Sequence, residues 1–286
     1  MDDRYLKLTG SLASDSRLVT DADGEREIWH VTAPVCTVLS EPDDKASATT
    51  QLIFGEDFSI IGEEGEWVIG QAPRDHYIGY VRRSHLRSGA SEATHHVIYH
   101  GTFIYSTADM KSRPVMKVPM SARLQVVGEE EVRRTEYYKV PNGYVIKNHL
   151  RPLDHYFEDF VSVGETAIGM SYLWGGRTPF GLDCSGLVQL CLQMAGIAVL
   201  RDSDMQEATI GDELPLDPGL GQLQRGDLIF WPGHVGIMRD SRTLLHANGH
   251  TMTVASEPLV DAVERIAYLY GPPRSIRRPF ALSSHH

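Results

Sequence analysis

The chain has 286 residues, 42% hydrophobic and 23% charged, a balance that suits soluble globular protein of one to three domains. Its 38 acidic against 27 basic residues give a net charge of −11, which argues against nucleic acid and against adsorption to anionic wall polymers or membranes. Three cysteines, Cys36, Cys184 and Cys191, make no disulfide framework; the last two lie on one predicted helix roughly 10 Å apart, out of reach of each other, and a reducing compartment fits best.

Residues 1–30 read as an N-terminal extension with no basic segment leading into an apolar core. No run of about 18 apolar residues occurs, so a cytoplasmic protein without a membrane partner is expected. Residues 31–88 carry short apolar runs (Val35–Leu39, Gln51–Phe54, Phe58–Gly62, Trp67–Gly70, Tyr77–Val81) spaced by polar or glycine turns, the pattern of a small β-barrel. Residues 92–152 repeat it. Ile60-Ile61-Gly62-Glu63-Glu64 returns as Val126-Val127-Gly128-Glu129-Glu130, and the segment from Gly79 to Leu86 returns from Gly143 to Leu150. Two matches in the same order indicate two copies of one module. His85 and His149 fall at equivalent repeat positions, which favours a structural role for both.

The pattern changes after Pro152, and a third domain is expected over 153–286. Phe157–Ile168 has helical spacing, interrupted by Gly164. Gly181 and Asp183 then lead into an apolar run, Leu187 to Met194, that reads as a buried helix stopped by Gly196. Asp183 is a candidate N-cap, and Cys184 falls in the first turn. The helix dipole favours a thiolate there, but the Asp183 carboxylate opposes it, so a second activating group is required. Downstream, Leu228–Trp231 and Val235–Met238 read as two strands about Pro232-Gly233, with His234 opening the second. His246 lies on the next strand, before Asn248-Gly249; His250, a rival, falls beyond that turn. The remaining segment is read as strands through Ile266–Tyr270. Helices first and an antiparallel sheet after give an α+β domain. A helix-borne Cys followed by two strand-borne histidines is the chemistry of a cysteine hydrolase: one imidazole takes the thiol proton and the second orients the first. Cys184, His234 and His246 are also zinc-ligand types, but no CxxC, HxxxH or HExxH spacing accompanies them, so neither metal nor other cofactor is expected.

The run Tyr172-Leu-Trp-Gly-Gly, Asp183-Cys184-Ser185-Gly186-Leu187, Arg201-Asp202-Ser203, Gly226-Asp227-Leu228, His234-Val235-Gly236-Ile237 and His246-Ala247 resembles the NlpC/P60 cell-wall peptidases over about residues 153–270. The resemblance implies a papain-like catalytic domain behind two small SH3-like β-barrels. It implies Cys184 as nucleophile, His234 as base, His246 as its orienting partner and Tyr172 as a donor to the oxyanion.

Arg201-Asp202-Ser203 is further similar to the γ-D-glutamyl-diamino acid peptidases with two N-terminal SH3-like modules. In that branch the residues matching Asp202 and Ser203, and those matching Glu56 of Gln51-Leu-Ile-Phe-Gly-Glu56 and Tyr77 of the first module, contact the N-terminal end of the peptide. His76 stands where the branch has Gly. Asp183 and Ser185, beside the nucleophile, are candidates for holding the D-Glu part. The implied activity is release of L-Ala-γ-D-Glu from murein tri- or tetrapeptides by a monomer. A broader amidase or acyltransferase on the same fold, or a non-catalytic wall-peptide binder, are the alternatives.

Overall fold

The computed structural model describes residues 8–20, 25–216 and 220–280. The chain divides into two compact units, Ser14–His155 and Tyr156–His286 with Met1–Ala13. The extension expected over 1–30 is therefore shared between them, and its residues 1–7 and 21–24 lie outside the described residues.

Within the first unit, residues 28–88 form a seven-stranded antiparallel sheet in the order 48–53, 35–39, 78–82, 67–71, 57–64, 28–31 and 86–88. Its first strand begins at Ile28, three residues ahead of the expected start. A register shift between Ile60 and Gly62 bends the longest strand, which helps the sheet curl. Inside lie Trp29, Val31, Cys36, Val38, Leu52, Phe58, Val68 and Val81. Residues 95–152 build a five-stranded sheet and a three-stranded sheet around Val97, Ile104, Val118, Leu124, Val145 and Leu150.

The repeat is visible in side-chain contacts. Short 3₁₀ turns, Arg83–His85 and Lys147–His149, each precede a closing strand. His85 Nδ1 lies 3.3 Å from Cys36 Sγ, and His149 Nδ1 lies 2.8 Å from Thr102 Oγ1. Cys36 and Thr102 are each the second residue of their strands, 35–39 and 101–105. Each histidine thus pins the closing turn to the same place in its module. Burial pushes the Cys36 thiol up to about 12, which leaves it unreactive at neutral pH.

The two sets of strands are joined by a plug. Ile53, fully buried, packs in the second set's core rather than the first, with Phe54 against it. Arg123 N–H donates to Phe54 O at 2.8 Å. At Gly55, with φ of +78°, a Cβ would stand 2.1 Å from Arg123 O, so only glycine permits this approach.

In the second unit a six-stranded antiparallel sheet runs in the order 212–214, 275–278, 228–231, 234–238, 243–248 and 253–258. Among the described residues four α-helices accompany it: α1 (Phe160–Thr166), α2 (Cys184–Met194), α3 (Ser203–Thr209) and α4 (Leu259–Tyr270). α2 is buried on every side except Gln193, as its unbroken apolar run requires. Gly196, at φ of +77°, follows its end. Gly164 does not interrupt α1. A Cβ there would lie 2.9 Å from Leu245 Cδ2 and 3.0 Å from Cys191 Sγ, so the glycine lets α1 sink against α2 and the sheet.

The strands expected through Ile266–Tyr270 are instead the C-terminal half of α4. Leu259, Ala262 and Ile266 recur at helical spacing and face the core, while Tyr268 and Leu269 stay exposed. The aromatic and branched residues of this segment suit strands one by one, but the period of the buried positions decides the element.

Candidate active site

The site is built where the start of α2 meets the strands 234–238 and 243–248. Asp183 caps α2, accepting from Gly186 N–H at 2.7 Å. It also accepts from Gly175 N–H at 2.8 Å and takes both arms of the buried Arg201, at 3.0 and 2.6 Å. Ser185 Oγ accepts from Arg201 Nη1 at 2.8 Å. Asp183 and Ser185 are therefore committed to a buried ion pair that fixes the loop 173–176 against α2. The fork-on-carboxylate geometry satisfies both charges where either alone would be costly.

Cys184 is 8% exposed. Burial, and then the Asp183 charge, push its thiol up to about 12; hydrogen bonds from the Val235 and Ser185 backbone act in the opposite direction. The helix start alone thus does not produce a resting thiolate, and a base has to take the proton. The Val235 contact places the sulfur beside the strand that His234 opens.

His234 Nε2 lies 2.8 Å from His246 Nδ1, and His246 Nε2 lies 2.6 Å from Glu257 Oε1. A carboxylate only accepts, so His246 carries its proton on Nε2. Its Nδ1 is then the acceptor for the His234 Nε2 proton, which leaves a lone pair on His234 Nδ1. Asn248 Nδ2 lies 3.3 Å from His246 Nε2, its Oδ1 being held by the His250 and Thr251 N–H groups. Burial pushes His234 down to about 3, with the neighbouring His246 adding to the effect, so the imidazole rests neutral. His246 is fully buried, and His250 is exposed on the turn beyond it.

Tyr172 is half-buried. Burial, then the charges of Cys184 and Asp183, raise its phenol pKa, so it stays a neutral O–H donor. Asp202 stands at the N-cap position of α3 without a side-chain cap bond, and Asp202 and Ser203 are both half-buried.

Glu56 and Tyr77 belong to the other unit. Glu56, 3% exposed, accepts from Ile53 N–H at 2.9 Å and pairs with Arg74. Tyr77 is buried, its N–H held by Asp75 Oδ1 at 3.2 Å. Glu56 thus lies in a charge-compensated turn rather than on an open hairpin. His76 adopts φ of +61°, the left-handed conformation that glycine holds most readily.

Two residues at the site escaped the sequence reading: Glu257, on the strand 253–258, and Arg265, on α4, which pairs with it. The register gives the signal in retrospect. His246 pairs with Ala255, so Glu257 is its diagonal neighbour on the same face. Among the described residues no group of three or more His, Cys, Asp and Glu could hold a metal ion.

Residues 169–263 match the NlpC/P60 family, and residues 38–86 match the bacterial dipeptidyl-peptidase SH3 domain. Dipeptidyl-peptidase 6 of Lysinibacillus sphaericus is 27% identical over 240 residues, 76% of this chain and 86% of its own. The γ-D-glutamyl-L-lysine dipeptidyl-peptidase of Bacillus subtilis is 26% identical over 223 residues, 69% of this chain and 71% of its own. An NlpC/P60 family protein from Bacillus cereus superposes with a TM-score of 0.69 at 19% identity, covering 88% of this chain and 99% of that one, a likeness of fold.

Proposed function

We propose that this chain, which carries an NlpC/P60 domain behind a bacterial dipeptidyl-peptidase SH3 domain, is a cysteine peptidase of peptidoglycan peptides. It hydrolyses the bond between γ-D-Glu and the diamino acid in peptides with a free N-terminal L-Ala, releasing L-Ala-γ-D-Glu, and serves wall-peptide recycling in the cytoplasm. The observation that carries the reading is the hydrogen-bonded chain from His234 through His246 to Glu257, beside a cysteine at a helix start. The name of the Bacillus subtilis relative, a γ-D-glutamyl-L-lysine dipeptidyl-peptidase, supports the substrate class, and both relatives' names support release of a dipeptide.

The chemistry follows from the tautomers. His234 Nδ1 takes the Cys184 proton as Sγ bonds to the γ-carbonyl carbon. The carbonyl becomes an oxyanion, for which the Cys184 N–H and the Tyr172 O–H are the donors. The new imidazolium is stabilised through His246 by the Glu257 carboxylate. Collapse breaks the C–N bond, the amine leaves with the proton from His234, and a thioester remains. Water then attacks, gives one proton to His234, and the thiol and a free γ-carboxylate are released.

The free α-ammonium is assigned to Asp202 of the catalytic unit, with Ser203 as its polar neighbour; Glu56 and Tyr77, the module residues that the resemblance points to, are tested for an effect on the same end of the peptide. The variants are Asp202→Ala and Glu56→Ala, and because Arg74 already offsets the Glu56 charge, the latter should have a modest effect. The test is a competition digest of L-Ala-γ-D-Glu-diamino acid against its N-acetyl form, with products identified by mass. Losing a charged contact of this kind costs about 2–5 kcal/mol, roughly 30- to several-thousand-fold in kcat/KM. The free peptide should be preferred by that margin, and each variant should narrow it by slowing the free peptide. Equal rates on both peptides with the unaltered chain would overturn the amine reading and leave a peptidase indifferent to that end.

A further inference from the structure

Glu257 and Arg265 lie behind the histidine pair. His246 Nε2–H and Arg265 Nη2 both donate to the same oxygen, Glu257 Oε1. His246 is fully buried, and Glu257 and Arg265 are each about a quarter exposed. A carboxylate on a buried imidazole raises its appetite for a proton, and a guanidinium on the same oxygen draws that charge away. Two donors on one oxygen therefore compete.

Other charged and titratable groups stand about the pair. From α2 come Cys184 and Asp183, the latter already matched by Arg201. Tyr172 comes from the loop before α2 and rests neutral. On α4, Asp261 and Glu264 are exposed. The strand 228–231, which pairs with 234–238, presents Trp231 to His234, at 5.8 Å between ring centroids. Among the described residues, Glu257 and Arg265 are the formal charges that bear on His234 alongside His246.

We propose that Glu257 and Arg265 are a positioning pair that acts on the base His234 from opposite sides through His246: the Glu257 carboxylate favours its protonated form and the Arg265 guanidinium disfavours it. Glu257 also fixes the tautomer, since only with Nε2 protonated does His246 offer Nδ1 to His234 and free His234 Nδ1 for the thiol. Neither residue touches substrate; each acts through His246. The pair's role rests on Cys184 and His234 as nucleophile and base. It deepens that reading by making the working pH of the enzyme a property of α4 as well as of the sheet.

The opposed signs make the test. Glu257→Gln keeps an acceptor for His246 Nε2–H and removes the charge. Arg265→Met keeps the stem and removes the competing cation. Two readouts are taken on the full chain: the pH profile of kcat/KM on the free tripeptide, and the pH profile of Cys184 alkylation by iodoacetamide, which needs no substrate. Cys36→Ala and Cys191→Ala in the background restrict alkylation to Cys184. Glu257→Gln should lower kcat/KM about 10- to 100-fold and move the acid limb down by about one pH unit. Arg265→Met should move the acid limb up by a similar amount and speed alkylation at neutral pH, while Glu257→Gln slows it. Arg265→Lys, which keeps the charge, should restore the original limb. Loss of rate with both limbs unmoved, or both moving the same way, would show a merely structural pair and overturn the proposal. If alkylation follows the opposed shifts but the tripeptide is not cleaved, the substrate reading has failed and the relay has not.

Discussion

Cys184 shows how far a single residue can be read. Its place at a helix start after Asp183 was legible from the sequence, and so was the opposing effect of that carboxylate. The depth of burial was not, and burial is the largest cause holding the thiol up at about 12. Exposure depends on what the strand 234–238 lays across α2, which no local pattern states. With a neutral thiol and a neutral imidazole, the proposed mechanism has the proton move during attack rather than before it. Cys184→Ala should therefore abolish turnover, to below a few per cent, with the thermal midpoint unchanged or raised, and the triple change with Cys36→Ala and Cys191→Ala should be no less active than the single one. His234→Ala should cost several orders of magnitude, His246→Ala less, and His250→Ala almost nothing, since His250 is exposed on the turn. Steady-state rates on the tripeptide rank the three, and a larger loss at His250 than at His246 would displace His246 from the relay.

Elements were legible where one signal dominated. The N-cap Asp183, the apolar run of α2 and the Gly196 stop agree with one another, and the helix lies at Cys184–Met194. α4 was missed because its exposed face carries Tyr268, Leu269 and Tyr270, residues that suit strands when met without their neighbours. The turn that carries Tyr77 illustrates the opposite case, a departure readable in advance. His76 replaces a glycine expected from the resemblance, and the backbone keeps the glycine conformation, with Gln71 Nε2 donating to His76 O at 2.9 Å. A side chain at positive φ costs about 1 kcal/mol or somewhat more. His76→Gly should relieve part of that, offset by the added freedom of the unfolded chain, for a net gain of about 0.5 kcal/mol by denaturant unfolding. A loss of stability would mean that the imidazole makes contacts worth more than the strain.

At the scale of the whole molecule, the order of parts was legible because repetition and a change of period are carried by many residues at once. The internal joint between the two sets of strands was not, since Ile53 and Phe54 look like any strand end until their partner core is seen. That joint binds the two sets thermodynamically. A side chain that belongs to the first barrel by sequence and to the second by packing leaves the second core incomplete without the first, so their folding free energies are shared rather than summed. Ile53→Ala should cost about 2–4 kcal/mol, and amide hydrogen exchange should quicken in residues 95–152 as well as in 28–88. Acceleration confined to the first set would mean that the barrels open independently. Because Ile53 N–H also holds the Glu56 carboxylate, loosening that joint should loosen the seat of Glu56 as well: the second barrel, which contributes no residue to the proposed chemistry, acts as ballast for a side chain of the first.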